Sequence, residues 1–272
     1  MKNITYFIVA LVLFASCEDV IVLDLENDEP QLVIEAVVDA TAKTVTVQLT
    51  KSNGFYDGVD LNTVDDATIT LTLADGNTVN IPTASNGQYF VQNLPDVEPN
   101  QTLSLEVISE GQVYNASTVA PHPVTIDSLS FEAVDFGPGA GGPFGGNDDE
   151  PTSYRVFTFW QDLPDIENFY RIRAAQNDTV KVNVYTMVDD IGNNGKQIFR
   201  PFFDTFEGES LVDIELLALD KGSFTYFSDL SNIQGQGLSS PTPFNPRTNF
   251  NNGALGYFGI IFNDKAQVLL PE

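Results

Sequence analysis

Residues 44–50, Thr-Val-Thr-Val-Gln-Leu-Thr, alternate polar and apolar side chains without a break. This period of two is typical of a strand with one buried and one wet face, because successive side chains point to opposite sides of a sheet. Apolar side chains also occupy every second position of residues 32–38 and of residues 69–73. These stretches predict half-buried strands and indicate a mainly β fold class.

A turn signal follows the third of these strands. Asp-Gly-Asn at 75–77 fits a three-residue hairpin loop, which predicts that Val79 lies opposite Leu73 and Ile81 opposite Leu71. All four apolar side chains would then share one face of the hairpin.

The segment 31–121 continues as short strands with a turn about every eight to twelve residues, a spacing that favours a small β-sandwich. Gly87-x-Tyr89-Phe90, with the later strand at 103–107, resembles the transthyretin-like or carboxypeptidase-regulatory sandwich. The resemblance implies an immunoglobulin-like module that acts as a rigid spacer more often than as a catalyst.

A second domain is predicted at 122–272, after Pro121-His122-Pro123, because consecutive prolines cannot join a strand ladder. Its apolar alternation predicts a second antiparallel β domain. Aromatic and leucine residues at three-residue spacing predict one short helix, Ser223 to Asn232. His122 is the sole histidine and is interpreted as a linker side chain.

A glycine-rich loop at 137–149 interrupts this second domain. No Gly-Lys-Ser or Gly-Lys-Thr follows it, so a phosphate-binding loop is excluded. Two interpretations stay open, a tolerated surface insertion and a flap over a ligand or partner.

The N-terminus carries a targeting signal at residues 1–16, in which Lys2 precedes an apolar run too short to span a bilayer permanently. Small residues then stand directly before Cys17, the only cysteine, as in a bacterial lipobox. This resemblance implies lipidation of Cys17 and an anchor to the outer membrane, with 17–30 as an acidic tether. Glu18-Asp19 resembles the surface-export signal of Bacteroidota lipoproteins, which implies the cell exterior. The alternative is an ordinary signal peptide with an incidental cysteine.

The mature chain would be strongly acidic. Without residues 1–16 it has eleven basic and 38 acidic side chains, a formal charge of −27. Such a surface repels nucleic acid and anionic lipid headgroups, which excludes both as expected partners. With Cys17 lipidated, no thiol is left for a disulfide or a cysteine nucleophile.

Three cations are predicted to form one patch. A three-residue turn at 176–178 would align the apolar residues of two strands on one face and leave Arg171, Arg173 and Lys181 on the other. Arg173 opposite Lys181 repels unless a negative group lies there. That group is either an acidic side chain of a neighbouring strand or the carboxylate or phosphate of a ligand.

Other candidate binding residues are weaker. Asp189 and Asp190 begin an amide-rich loop that either holds calcium or is an ordinary hairpin loop. Trp160, taken as an exposed aromatic, suggests a glycan-binding surface.

Catalytic motifs are missing from the sequence. One histidine without Gly-x-Ser-x-Gly leaves a serine hydrolase without a base, and there is no His-Glu-x-x-His. A carboxylate pair for glycoside hydrolysis is defined by separation in space, which leaves that route open. The prediction is that the chain is not an enzyme and needs no cofactor.

The C-terminal run at 240–259, ending in Asn252-Gly253-Ala254-Leu255-Gly256-Tyr257-Phe258-Gly259, resembles the closing motif of a Bacteroidota outer-membrane lipoprotein family, domain of unknown function 4249. Cys17-Glu18-Asp19 at the start and Ile126-Asp127-Ser128-Leu129 match further landmarks. The resemblance implies an accessory docking or binding role beside a TonB-dependent receptor, without catalytic residues to carry over. The alternatives are a structural or adhesive surface protein and a glycan-binding module.

Overall fold

The computed structural model describes residues 30–53, 62–134, 153–177, 179–180, 186–202, 205–234 and 244–272. The signal segment, Cys17, the tether up to residue 29, the glycine-rich loop and Lys181 lie outside these ranges. The described elements are β1 Leu32–Asp39, β2 Thr44–Lys51, β3 Asn62–Thr63, β4 Thr68–Thr72, β5 Thr78–Asn80, β6 Thr83–Ser85, β7 Gln88–Gln92, β8 Thr102–Ser109, β9 Gln112–Val119, β10 Ile126–Val134, β11 Ser153–Gln161, β12 Phe169–Gln176, β13 Thr179–Val180, β14 Thr186–Asp189, β15 Gln197–Pro201, β16 Phe206–Glu207, β17 Leu211–Leu219, α1 Lys221–Gln234 and β18 Leu255–Leu269.

The strands form three sheets. A ten-stranded central sheet has the order β13-β12-β17-β18-β1-β2-β7-β6, with β14 beside β12 and β3 beside β2. An N-terminal cover sheet has the order β5-β4-β8-β9, and a C-terminal cover sheet has the order β10-β11-β15, with β16 beside β11. The predicted mainly β fold with a sandwich is confirmed.

The N-terminal core lies between the central sheet and the N-terminal cover sheet. Alternate residues of β1 and β2, such as Ile34, Val45 and Leu49, are fully buried and face Ile69 and Leu71 of β4. Their neighbours in the strands are less buried. The alternation in the sequence therefore marks the core face correctly.

The first and last strands of the described chain pair in parallel at the centre of the molecule. The register runs from Val33 opposite Leu255 to Asp39 opposite Ile261. Phe258 and Ile260 thereby enter the N-terminal core. The central sheet contains strands from both sides of the domain boundary predicted at residues 121 and 122. Whether the two halves are separate domains stays a prediction.

Helix α1 packs on the outer face of the central sheet, the face turned away from both cover sheets. It spans Lys221–Gln234, which confirms the helix predicted from Ser223 to Asn232 and lengthens it at both ends. With the helix above and the core below, Gly256 to Ile260 are all buried. This part of β18 is therefore covered on both faces.

Both predicted hairpin registers are wrong. Leu71 lies opposite Val79, two residues from the expected pairing with Ile81, although the same side chains share the face. Ala175 lies opposite Val180, where the prediction paired Ala174 with it. The turn geometry fixes the register. The first loop has three residues but begins one residue earlier than predicted, between Leu73 and Asn77, and the second hairpin pairs Gln176 with Thr179, which shifts its register by one residue.

In the described ranges, no helix combines the length and the hydrophobicity that a bilayer span needs.

Candidate functional site

The cation patch predicted around Arg173 is neutralised by the adjacent strand. Arg173 lies opposite Glu215 of β17, and its Nε donates a hydrogen bond to Glu215 Oε2 at 2.7 Å. Lys265 of β18 lies 3.6 Å from the other oxygen of Glu215. The negative group opposite Arg173 is therefore an acidic side chain of a neighbouring strand, which was one of the two interpretations left open by the sequence.

Arg171 packs against helix α1 and is only partly exposed, whereas Arg173 is exposed. The guanidinium carbon of Arg171 is 4.4 Å from the ring centroid of Phe227, a cation–π contact that belongs to the packing of α1. The structure therefore does not join Arg171 and Arg173 in one exposed site.

Trp160 is fully buried, so the expectation that it is an exposed aromatic is wrong. It lies in the C-terminal core, 5.5 Å from the ring of Tyr170 in an edge-on contact. Its neighbours Phe159 and Gln161 point outward instead, since β11 alternates its faces. The sequence misled because aromatics occupy both faces of this strand.

The loop after Asp189 is held by local hydrogen bonds. Asp189 Oδ1 accepts from Ile191 N at 3.3 Å, and Asp190 O accepts from Asn193 N at 2.7 Å. No group of three acidic, histidine or cysteine side chains in the described ranges is placed to hold a metal ion. Calcium binding by this loop stays an untested prediction.

A cleft of about 330 Å³ lies between the two halves of the molecule. The N-terminal half contributes Asn100 and the end of β9, the segment at Pro121 and His122 joins the halves, and the C-terminal half contributes the C-terminal end of β17 and the loop before β12. It is lined by Asn100, Val119, Ala120, Pro121, His122, Ile166, Glu167, Asn168, Phe169, Tyr170, Ala218, Leu219, Asp220 and Lys221. Ligand sites favour such positions between domains and are usually at least this large.

Polar groups of both charges face this cleft. Asn100 Nδ2 lies 3.0 Å from His122 Nε2, and Lys221 Nζ lies 2.9 Å from Glu167 Oε2. Tyr170 also lines the cleft, but its buried hydroxyl donates a 2.6 Å hydrogen bond to the buried Asp162, which is not a lining residue. Burial is the main cause that raises the pKa of this hydroxyl. The cleft thus offers donors, acceptors and an apolar wall, which suit a small polar ligand. The sequence pointed only to a linker at this place, because the cleft depends on long-range packing.

A second surface feature is the phenylalanine face, defined as Phe157, Phe159, Phe199 and Pro201 on the solvent side of the C-terminal cover sheet. Phe159 lies opposite Phe199, and Phe157 lies opposite Pro201. The rings of Phe159 and Phe199 are stacked, with centroids 6.0 Å apart and planes inclined by 23°. Phe199 is 56% exposed.

The C-terminal motif forms structural clamps. The side chain of Asn249 bonds both ways to the backbone of Phe258, accepting from its N–H at 2.9 Å and donating to its carbonyl at 2.7 Å. Asn251 exchanges two hydrogen bonds with the backbone of Asn115 in β9. The motif therefore ties β18 to the edge of the N-terminal cover sheet.

A further clamp joins the motif to the helix. Arg247 donates from Nε to Asp229 Oδ2 at 2.7 Å and from a terminal nitrogen to Oδ1 at 2.8 Å. The hydrogen bonds from Arg247 lower the pKa of the Asp229 carboxyl. These contacts give the motif a role in packing.

The fold defines the chain as a mainly β protein of two sandwiches built on one shared sheet. The chain belongs to the family described as domain of unknown function DUF4249, whose model matches residues 18–266.

Two solved structures are similar at low identity. One is a segment of two fibronectin type III domains from chicken tenascin, 14% identical with a TM-score of 0.21, and the match covers 70% of this chain and 91% of that chain. The other is a DUF3823 family protein from Bacteroides uniformis, 12% identical with a TM-score of 0.25, covering 89% of this chain and 100% of that chain. No curated protein sequence matches the chain.

Proposed function

We propose that this protein is a lipid-anchored accessory protein of the outer membrane that docks on a TonB-dependent receptor during nutrient uptake. The observation that carries the proposal is where the family match begins. It starts at residue 18, directly after Cys17, which is the residue that the lipobox resemblance assigns to lipidation.

The physical chemistry of the anchor supports this role. Two or more acyl chains on Cys17 hold a protein stably at a membrane, at roughly 0.8 kcal/mol per buried methylene group. The acidic residues up to Pro30 are the predicted tether between this anchor and the folded part.

The cleft between the two halves is the proposed place for a ligand that the receptor takes up. It combines an apolar wall at Phe169 with polar groups such as Asn100 and the Lys221–Glu167 ion pair. This composition suits a small polar molecule better than a lipid.

Copurification tests the proposal. The full-length protein carries a tag after Glu272 and is extracted gently from the native outer membrane, and its partners are identified by mass spectrometry. A Cys17→Ser variant is the matched control, because it lacks the lipidation site but keeps the folded part. We expect a TonB-dependent receptor in stoichiometric amount with the lipidated protein and much less with the variant.

Recovery of the lipidated protein alone, while a known receptor complex survives the same extraction, would contradict the proposal. The structural or adhesive surface protein would then be the better interpretation, and it predicts binding to cells or matrix without a barrel partner.

A further inference from the structure

The cleft between the two halves contains a hydrogen-bond acceptor that the loop before β12 holds in place. Asn168 lines the cleft and is only 6% exposed. Its amide nitrogen donates to the carbonyl of Leu163 at 3.0 Å and to that of Ile166 at 2.9 Å, which uses both of its N–H groups. Its carbonyl oxygen accepts no hydrogen bond from any residue in the described ranges. A donor group of a ligand can therefore complete the hydrogen bonds of this side chain.

The facing wall of the cleft offers both a donor and an acceptor. Asn100 Nδ2 lies 3.0 Å from His122 Nε2, and an amide nitrogen is a donor only, so Asn100 donates and a neutral His122 accepts. The carbonyl oxygen of Asn100 and the Nδ1–H of His122 have no hydrogen-bond partner among the described residues. Both groups are thus left for a ligand.

The charged groups of the cleft are already engaged. Lys221 Nζ lies 2.9 Å from one carboxylate oxygen of Glu167 and 3.1 Å from the other. Asp220 is only 4% exposed and accepts three hydrogen bonds at the start of α1. A charged ligand would have to compete with the Lys221–Glu167 pair, whereas a neutral ligand leaves that pair intact.

The size and the apolar surface of the cleft indicate which neutral ligand fits. Its volume of about 330 Å³ corresponds to about eleven water molecules at roughly 30 Å³ each. Pro121, Ile166 and Leu219 supply apolar surface among the polar groups. A sugar ring matches this arrangement, because it has C–H groups on its faces and, at its edge, hydroxyl groups that each donate and accept.

We propose that this cleft binds a neutral sugar of about one ring, whose hydroxyl groups bond to Asn168, Asn100 and His122. The inference deepens the proposed function and rests on it for the use of the cleft in uptake. It adds the chemical class of the ligand and the residues that recognise it.

Isothermal titration calorimetry with the purified full-length protein measures binding without a receptor. The probes are glucose, galactose, mannose and xylose, and the free amino acids serine and glutamine serve as zwitterions of similar size. Thermal unfolding of each variant checks that it is folded.

Val119→Trp is the variant that tests the site. Val119 lines the cleft and is 49% exposed, so a larger side chain is expected to fill the cleft without entering the core. The matched control is Val113→Trp, because Val113 is 37% exposed on the same face of β9 but about 20 Å away along the strand.

We expect at least one of the four sugars to bind at millimolar concentration or below. Val119→Trp should weaken its binding at least tenfold, and Val113→Trp should leave it unchanged. Asn100→Ala should weaken it about threefold to tenfold, because a sugar hydroxyl loses a partner.

Three results would overturn the sugar site while the proposed function stands. The first is that none of the four sugars binds, whether or not the amino acids do. The second is sugar binding that Val119→Trp leaves unchanged, and the third is an equal loss of binding with Val113→Trp. Sugar binding by a protein that recovers no receptor in the copurification would instead contradict the proposed function and leave the sugar site in place.

Discussion

At the scale of single residues, the junction of helix and sheet depends on Gly259 and Asp220. A Cβ at residue 259 would lie 1.9 Å from Ser223 Oγ and 2.8 Å from Asp220 Oδ2. Asp220 is buried and accepts hydrogen bonds from the Ser223 N–H at 3.0 Å, the Ser223 hydroxyl at 2.6 Å and the Ile260 N–H at 3.0 Å. One carboxylate thus caps the helix and fixes it to β18.

Gly259→Ala is expected to lower the free energy of unfolding by about 1–3 kcal/mol, because the added methyl group overlaps this hydrogen-bonded cluster. Urea unfolding measures the change. Ser223→Ala alone and the Gly259→Ala/Ser223→Ala double variant complete a double-mutant cycle. Because loss of the Ser223 hydroxyl makes room for the new methyl group, Gly259→Ala should cost less stability in the Ser223→Ala background. Additive effects of the two substitutions would contradict the steric explanation.

The Asp229–Arg247 pair predicts a pH dependence. The folded-state pKa of Asp229 lies below its ordinary value of 3.8, so the pair stabilises the fold above pH 3.8 and loses this effect as the pH falls through the lower value. Asp229→Asn should therefore be less stable than the unmodified protein at pH 7, and the difference should shrink below pH 3.8.

Urea unfolding from neutral pH down to the acid range below the ordinary pKa of an aspartate measures this difference. Asp66→Asn, at an exposed position, is the control for the removal of one carboxylate charge. A stability gap for Asp229→Asn that stays constant across the series would argue against the ion pair.

Residue roles were only partly predictable from the sequence. The possibility that an acidic neighbour balances Arg173 followed from charge alone, but Glu215 could be named only once the β12–β17 register was known. Trp160 was misplaced because no local pattern tells which face of β11 is the core when both faces carry aromatics.

At the scale of elements, Asn249 replaces a missing strand neighbour. Its side-chain amide makes the same pair of hydrogen bonds to Phe258 that an adjacent backbone would make. Asn249→Asp is expected to cost about 1–3 kcal/mol of unfolding free energy, because an acceptor would then face the Phe258 carbonyl. Thermal or urea unfolding measures it, with the exposed Asn252→Asp as a comparison that also belongs to the motif.

Asn252 donates to the carbonyl of Val113 at 2.6 Å, so the comparison removes one hydrogen bond at the surface and a smaller loss is expected. A larger loss of stability for Asn252→Asp than for Asn249→Asp would contradict the role assigned to the Asn249 amide.

Strands and the helix were predictable because their signals are local. Alternation marked β1, β2 and β4, and the spacing of Phe224, Phe227 and Leu230 marked α1. Registers depend on turn geometry, and the β1–β18 pairing depends on residues more than 200 positions apart. The cleft and the phenylalanine face follow from those pairings, which is why they were not seen in the sequence.

At the scale of the whole molecule, the shared sheet predicts joint unfolding of the two halves. A fragment of residues 31–121 lacks β18, and with it Phe258 and Ile260 of its own core. We expect this fragment to show no cooperative thermal transition and residues 31–272 to show a single one. A sigmoidal transition of the fragment, followed by circular dichroism, would instead support two independent domains.

The net charge predicts a salt dependence. Repulsion among 38 acidic side chains opposes the compact state, and salt screens it. The Tm should rise between about 10 mM and about 500 mM NaCl, by roughly 2–4 °C for each 1 kcal/mol gained. KCl should act equally, and a Tm that falls with salt would indicate that attractive ion pairs dominate.

The parallel pairing of β1 with β18 also determines how long after its own synthesis the first sandwich can be completed. Val33 meets Leu255, which a ribosome adds 222 residues later. At about 5–20 residues per second, the first sandwich waits roughly 10–45 s for its central strand. During this interval the first sandwich lacks β18 and leaves an apolar edge exposed. A holding chaperone or a secretion channel would therefore bind a chain that is not yet folded.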